Sequence, residues 1–368
     1  MQYLKKIRNA ILVESILLVS LYSVFMTDIL KEGIGVEQTQ AIEVGSVGER
    51  EYIKWVDFNV SYEALCEAYR WDVETYEETL EDKDAVHVGW IELLAYTAAR
   101  HGGEFPSGTV SEIARTAEKL KTGETTMQEL TGDMKYYAYY LEAYRAVLGG
   151  FVGEYEIQKE TEEGGVEWKK CYGLKAFSPI AKGFEYSDYD DFGAARSYGY
   201  SRPHLGHDMV GQIGTPVVAI ESGYVEAIGW NQYGGWRLGI RSFDGKRYYY
   251  YAHLRQNFPY YKGLEEGSVV TAGQVIGYMG HTGYSKTENV NNIKVVHLHW
   301  GLQLIFDESQ KEGNNEIWID CYNLTRFLYK NRSETAKDAE TKEWYRIYEM
   351  KDPAVEKYME GKKEKGSL

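Results

Sequence analysis

Apolar and polar positions alternate with different rhythms along this chain. From Glu51 to Gly150 the rhythm is helical. In VGWIELLAYTAARHGG, Trp90, Ile91, Leu94, Tyr96 and Ala98 recur at about helical spacing, and Gly102-Gly103 supplies a stop. MKYYAYYLEAYRAVLGG repeats the pattern and ends at Gly149-Gly150. These stretches predict a small all-helical domain over 51–152, with its aromatic stripes as core. Glu92 and His101 lie within it, at no spacing that suggests chemistry.

After Phe151 glycine becomes frequent and the helical period fades. A lead-in segment, 153–200, passes into short β-prone runs over 201–332. TPVVAIESGYVEAIGW reads as two strands around Ser222-Gly223, and GSVVTAGQVIGYMG as two more between glycines. WRLGIRSFDGKRYYYYAHL is the clearest hairpin, because Asp244-Gly245 is a favoured two-residue turn. Strands this short and closely spaced, without helices between them, predict a mainly antiparallel sheet and an α+β chain overall. The charged stretch 333–368 predicts a surface helix around Glu343 to Met350 followed by a frayed tail.

The start of the chain has another pattern. Lys5, Lys6 and Arg8 precede an apolar run from Ala10 to Met26, broken only by Glu14, Ser15, Ser20 and Ser23. Basic residues before an apolar run keep the start on the cytoplasmic side of a membrane and place the rest outside. No small-residue cleavage site follows. The expectation is an uncleaved, single-pass anchor helix within 1–30, a polar linker over 31–50 and extracytoplasmic C-terminal domains.

Composition refines this picture. With 43% hydrophobic residues the bulk of the chain can bury a core. The net charge of -15 excludes nucleic acid as a natural partner, since phosphate backbones are bound by clusters of Lys and Arg. The 33 tyrosines suit a groove that holds a polar polymer, although most are expected to pack on sheet faces. Cys66, Cys171 and Cys321 form no CxxC pair and no disulfide framework, and read as buried free thiols.

The candidate chemistry lies among the histidines. Six of the eight (His204, His207, His253, His281, His297 and His299) fall in the β-rich region. His204 and Asp208 form H-x-x-x-D, and Gly206 and Gly211 argue that they converge through a turn and a strand entry rather than on a helix. His297 and His299 form H-x-H, which on a strand points both rings to one side. One carboxylate and two imidazoles make the donor set of a catalytic zinc site with an open position.

RPHLGHDMVGQIGTPVVAIESGYV, YYYAHL, GSVVTAGQVIGYMGHTG and HLHWGLQL, in this order, resemble the lysostaphin-type (LytM-like) zinc metalloendopeptidases. The likeness spans roughly Arg202 to Leu304. It implies one zinc ion per chain, held by His204, Asp208 and His299, with His253 and His297 as unligated catalytic histidines. It also implies hydrolysis of peptidoglycan stem or bridge peptides, and cell-wall, divisome or sporulation proteins as partners. His207 is a competing ligand, His281 a loop residue, Trp300 a packing residue, and Asn231 and Tyr233 are cleft residues. The stretch Tyr284 to Val296 is longer than in many relatives and is expected at the groove rim. Some relatives that have lost ligands act as silent scaffolds or activators of other hydrolases. This chain keeps all five residues, which favours catalysis. A further reading makes the helical domain a partner-binding module.

Overall fold

The computed structural model describes residues 44–45 and 52–366, apart from 198–200, 314 and 365. The expected anchor helix lies outside the described residues, as does the linker save for Val44 and Gly45. Among the described residues no helix is long and apolar enough to cross a membrane.

Helices form where the apolar period predicts them: α1 Tyr62–Glu81, α2 Trp90–His101, α3 Thr109–Lys121, α4 Met127–Thr131 and α5 Tyr137–Leu148. Ser61 caps α1 by accepting from the Ala64 amide at 3.2 Å. Gly102, at φ 65°, ends α2 in the left-handed conformation that glycine adopts without strain. A long hairpin follows, β1 Val152–Glu160 against β2 Val166–Leu174. Then come a small hairpin, β3 Ala195–Ser197 with β4 Ser201–Pro203, and the strands β5 His207–Val210, β6 Pro216–Val218, β7 Gly223–Asn231, β8 Gly235–Ser242 and β9 Arg247–Ala252. Asp244-Gly245 turns between β8 and β9 as the spacing predicts, with Gly245 at φ 73°. β10 Val269–Val270, β11 Val275–Tyr278, β12 His297–Leu304 and β13 Ile317–Ile319 complete the region.

The principal sheet runs β10-β7-β8-β9-β12, all antiparallel, and the far edge of β12 is shared by two strands. β5 pairs with its first half, His299 opposite Asp208, and β13 with its second half, Leu302 opposite Ile319. Strand alternation sorts the side chains of β12. Leu298, Trp300, Leu302 and Leu304 are fully buried, while His297 and His299 line a groove on the opposite face.

The helices do not stand apart from the sheet. Residues 46–368 form one compact unit, and a single apolar core joins Leu65, Leu93 and Val147 to Trp300, Leu302 and Phe327. Trp90 stacks on Phe327 of α6 Tyr322–Leu328 at 5.7 Å. A polar pin reinforces the joint. The buried Arg247 guanidinium pairs with Glu221 at 2.7 Å and donates to the Ala146 carbonyl, near the end of α5, at 2.8 Å.

The C-terminal stretch departs from expectation. Residues around Glu343 to Met350 are extended: β14 Thr335–Lys337 pairs with β15 Trp344–Arg346, and β16 Met350–Lys351 joins β1. Helix α7 begins only at Pro353 and runs to Glu364. Packing explains the difference. Trp344 meets Phe184 edge-on at 5.0 Å, and its amide donates to the Tyr278 hydroxyl at 3.2 Å, so a half-buried slot for an aromatic outweighs local helix propensity.

Candidate metal centre

Three elements bring the expected donors together. His204 lies in the turn after β4, Asp208 on β5 and His299 on β12. His204 Nε2 is 3.1 Å from Asp208 Oδ1, His299 Nδ1 is 2.8 Å from the same oxygen, and the two ring nitrogens are 3.1 Å apart. Among the described residues these three form the cluster able to hold a metal ion. Ligands at tetrahedral zinc with bonds of about 2.0–2.1 Å lie about 3.3–3.4 Å apart, so the donor triangle fits the ion after an outward shift of a few tenths of an ångström. Gly206 makes the approach possible. A Cβ there would sit 2.5 Å from the His299 ring.

The electrostatics suit a cation. Burial opposes the charge on Asp208, but hydrogen bonds from His204 and His299 dominate and hold its carboxyl far below the usual range. Burial lowers the pKa of His299 more than its bond to Asp208 raises it, so its ring stays neutral. For His204 burial also lowers the pKa, yet Asp208 and Asp191 together outweigh it and leave the pKa raised. Its Nδ1 lies 3.0 Å from Asp191 Oδ1 and its Nε2 faces Asp208, so two carboxylates flank the ring and favour its protonated form.

His253 and His297 stand beside this cluster, their ring centroids 4.7 Å apart. His253 Nδ1–H donates to the Thr282 carbonyl at 2.9 Å, and His297 Nδ1–H to the Val295 carbonyl at 2.9 Å. Those bonds fix the tautomer and leave Nε2 free to take a proton; His297 Nε2 lies 3.7 Å from Asp208 Oδ1. Burial, with the charges of His297 and His299, pushes the His253 pKa well down. His253 also holds φ 61°, a strained conformation for a residue with a side chain, at the end of β9.

The competing ligand turns away. His207, one residue before Asp208 on the strand, points to the other face and pairs with Asp188 at 2.8 Å. His281 Nδ1 bonds the Ile293 carbonyl at 2.7 Å, bracing the Tyr284 to Val296 stretch, in which Asn289 also accepts from Trp236 Nε1 at 2.9 Å. Trp300 is buried and donates to Thr325 at 3.1 Å, a packing role. Asn231 and Tyr233 line the groove. Glu92 and His101 are engaged structurally, with Arg145 and Glu112 respectively. The three cysteines are free, Cys321 buried and the other two half-buried.

Sequence reasoning missed two residues here, both in the lead-in segment. Asp191 orients His204, and Arg196 on β3 pairs with Asp191 and, at 3.2 Å, with Asp208 Oδ2. The acidic run Asp188 to Asp191 was the one visible signal, and it carried no fixed spacing to the histidines.

A groove of about 980 Å3 runs from this cluster along the sheet face, past Tyr250 and Tyr248 towards Glu226 and Lys311. A helix-backed antiparallel sheet thus carries, at the head of an open groove, a His/Asp/His cluster able to hold a metal ion. Residues 202–316 match the family model Peptidase family M23, and over this segment the chain is similar to peptidases of that family. The L-Ala--D-Glu endopeptidase of Bacillus subtilis (strain 168) is 39% identical over 150 residues, which cover 41% of this chain and 42% of that protein. Lysostaphin of Staphylococcus staphylolyticus is 38% identical over 94 residues, 25% of this chain and 18% of that one. The chain thus spans less than half the length of these curated relatives. A crystal structure described as a glycyl-glycine endopeptidase LytM of Ruminococcus gnavus covers 80% of this chain and 94% of its own. Its TM-score is 0.51 at 23% identity, a likeness of fold.

Proposed function

We propose that this protein is a zinc endopeptidase that hydrolyses peptide bonds of peptidoglycan. The observation that carries the reading is the convergence of His204, Asp208 and His299 beside two further histidines whose Nδ1–H groups are held by backbone carbonyls. A zinc ion held by the three donors supplies Lewis acidity to a water and to a peptide carbonyl. The protein does the rest. Asp191 holds His204 so that Nε2 faces the donor cluster. His253, kept neutral by burial, accepts a proton from the attacking water. His297 is placed to steady the oxyanion and to return a proton to the departing amine. The groove floor of Tyr250 and Tyr248 gives an extended peptide a flat, partly polar bed.

The basic and apolar start of the chain supports a placement outside a membrane, anchored by 1–30, where cell-wall or division proteins are its natural partners. A second reading, a silent scaffold that retains the site, has one observation in its favour: the Arg196 guanidinium sits against Asp208 and competes for its charge. Mass spectrometry of muropeptides released from purified sacculi by the zinc-loaded protein separates the two. The peptidase reading expects new peptide termini that vanish with His299→Ala. Zinc binding with no released peptide supports the scaffold.

A further inference from the structure

The floor of the groove carries a cation whose counter-charge is missing. Across the sheet His299 pairs with Ala252 of β9, and the neighbouring Tyr251 pairs with Leu238 of β8, next in sequence to Arg237. Arg237 therefore lies roughly two strand spacings, about 10 Å, from His299, and both line the groove together with the small Ala252.

Several other charges of the groove are paired: Glu226 takes Lys311 at 2.9 Å and Arg241 at 3.4 Å, and Asp208 takes Arg196. Arg237 lines the groove but forms no ion pair among the described residues, and its Nη1 is shielded from solvent with no hydrogen-bond partner. A shielded guanidinium N–H without an acceptor carries a desolvation cost, which a carboxylate entering the groove would relieve.

We infer that Arg237 forms a carboxylate subsite, which selects peptides bearing a free carboxylate within two or three residues of the cleaved bond and disfavours uncharged glycine bridges. The spacing is set by an extended peptide, which advances about 3.3–3.6 Å per residue. The guanidinium fork matches a carboxylate in two parallel hydrogen bonds, which an amide cannot reproduce. This inference rests on the peptidase reading above and narrows its substrate.

The test uses the zinc-loaded full chain and the stem pentapeptide L-Ala-γ-D-Glu-L-Lys-D-Ala-D-Ala, together with forms amidated at the D-Glu α-carboxylate or at the C-terminus. Calorimetry reads binding, and mass spectrometry reads cleavage. Wild type should lose about 10–100-fold in affinity when the recognised carboxylate is amidated, and the two amidated forms show which one that is. Arg237→Gln should bind the parent peptide as weakly as wild type binds that amide, and should ignore the amidation. Arg237→Lys should keep part of the preference. Equal affinity of wild type for all three peptides, or a full preference retained by Arg237→Gln, overturns the inference. Preferential binding without cleavage sinks only the peptidase reading. Cleavage without preference sinks only the subsite.

Discussion

Replacing Arg247 with alanine removes the pin between the helices and the sheet. Its side chain is 2% exposed. The guanidinium donates to Glu221 at 2.7 and 3.1 Å, to Asp244 at 2.8 Å and to the carbonyls of Ala146 at 2.8 Å and Arg145 at 3.3 Å. Deleting it leaves the buried Glu221 carboxylate with the Tyr249 hydroxyl at 2.6 Å and takes the donor from the Ala146 carbonyl, while the Arg145 carbonyl keeps the Gly149 amide at 2.9 Å. Breaking one partner of a buried ion pair costs about 3–5 kcal/mol, and the freed Ala146 carbonyl adds to that loss. The double variant Arg247→Met with Glu221→Leu removes both charges and should lose less than Arg247→Ala alone. Urea unfolding of the metal-free protein, followed by tryptophan fluorescence, measures both. A loss under about 1 kcal/mol for Arg247→Ala, or a double variant worse than the single, would refute the reasoning.

Three further outcomes follow from the site. Zinc affinity should rise with pH until the raised pKa of His204 is passed and then level off, because the ion must displace one proton from His204, while Asp208 is already ionised and His299 already neutral. Competition with a chelator across pH measures this, and an affinity independent of pH between 5 and 8, the range in which a histidine ordinarily titrates, would contradict it. Asp191→Ala should weaken zinc binding about 10–100-fold by freeing the His204 ring, read in the same assay, and unchanged binding would show that the Asp191 contact does not hold the ligand. His253→Ala should keep full zinc occupancy by atomic absorption yet lower kcat about 10²–10⁴-fold on the peptide that wild type cleaves, whereas loss of zinc would make it a ligand.

Much of the site could be read from the chain because strand geometry is periodic. H-x-H on a strand fixes His297 and His299 on one face, and β12 places both in the groove. H-x-x-x-D needed only a turn and a strand entry, which Gly206 and β5 supply. Asp191 and Arg196 were not legible, because their contacts depend on how a hairpin with no spacing signal folds back over the site. Arg247 was hidden for a similar reason. It stands beside an Asp-Gly turn, in KRYYYY, and its partners Glu221 and the Ala146 carbonyl lie far away in sequence. The tail from Trp344 to Lys351 is extended because Tyr278 and Phe184 provide a slot that local sequence does not advertise. The unpaired state of Arg237 depends on which acids the fold uses elsewhere, and that is visible only in three dimensions.

Anomalous diffraction at the zinc edge, from crystals of the zinc-loaded protein, tests the central claim most directly. The account predicts one strong peak bonded to His204 Nε2, His299 Nδ1 and a carboxylate oxygen of Asp208 at about 2.0–2.2 Å. A peak elsewhere on the chain, or none at these three side chains at full zinc loading, would contradict it.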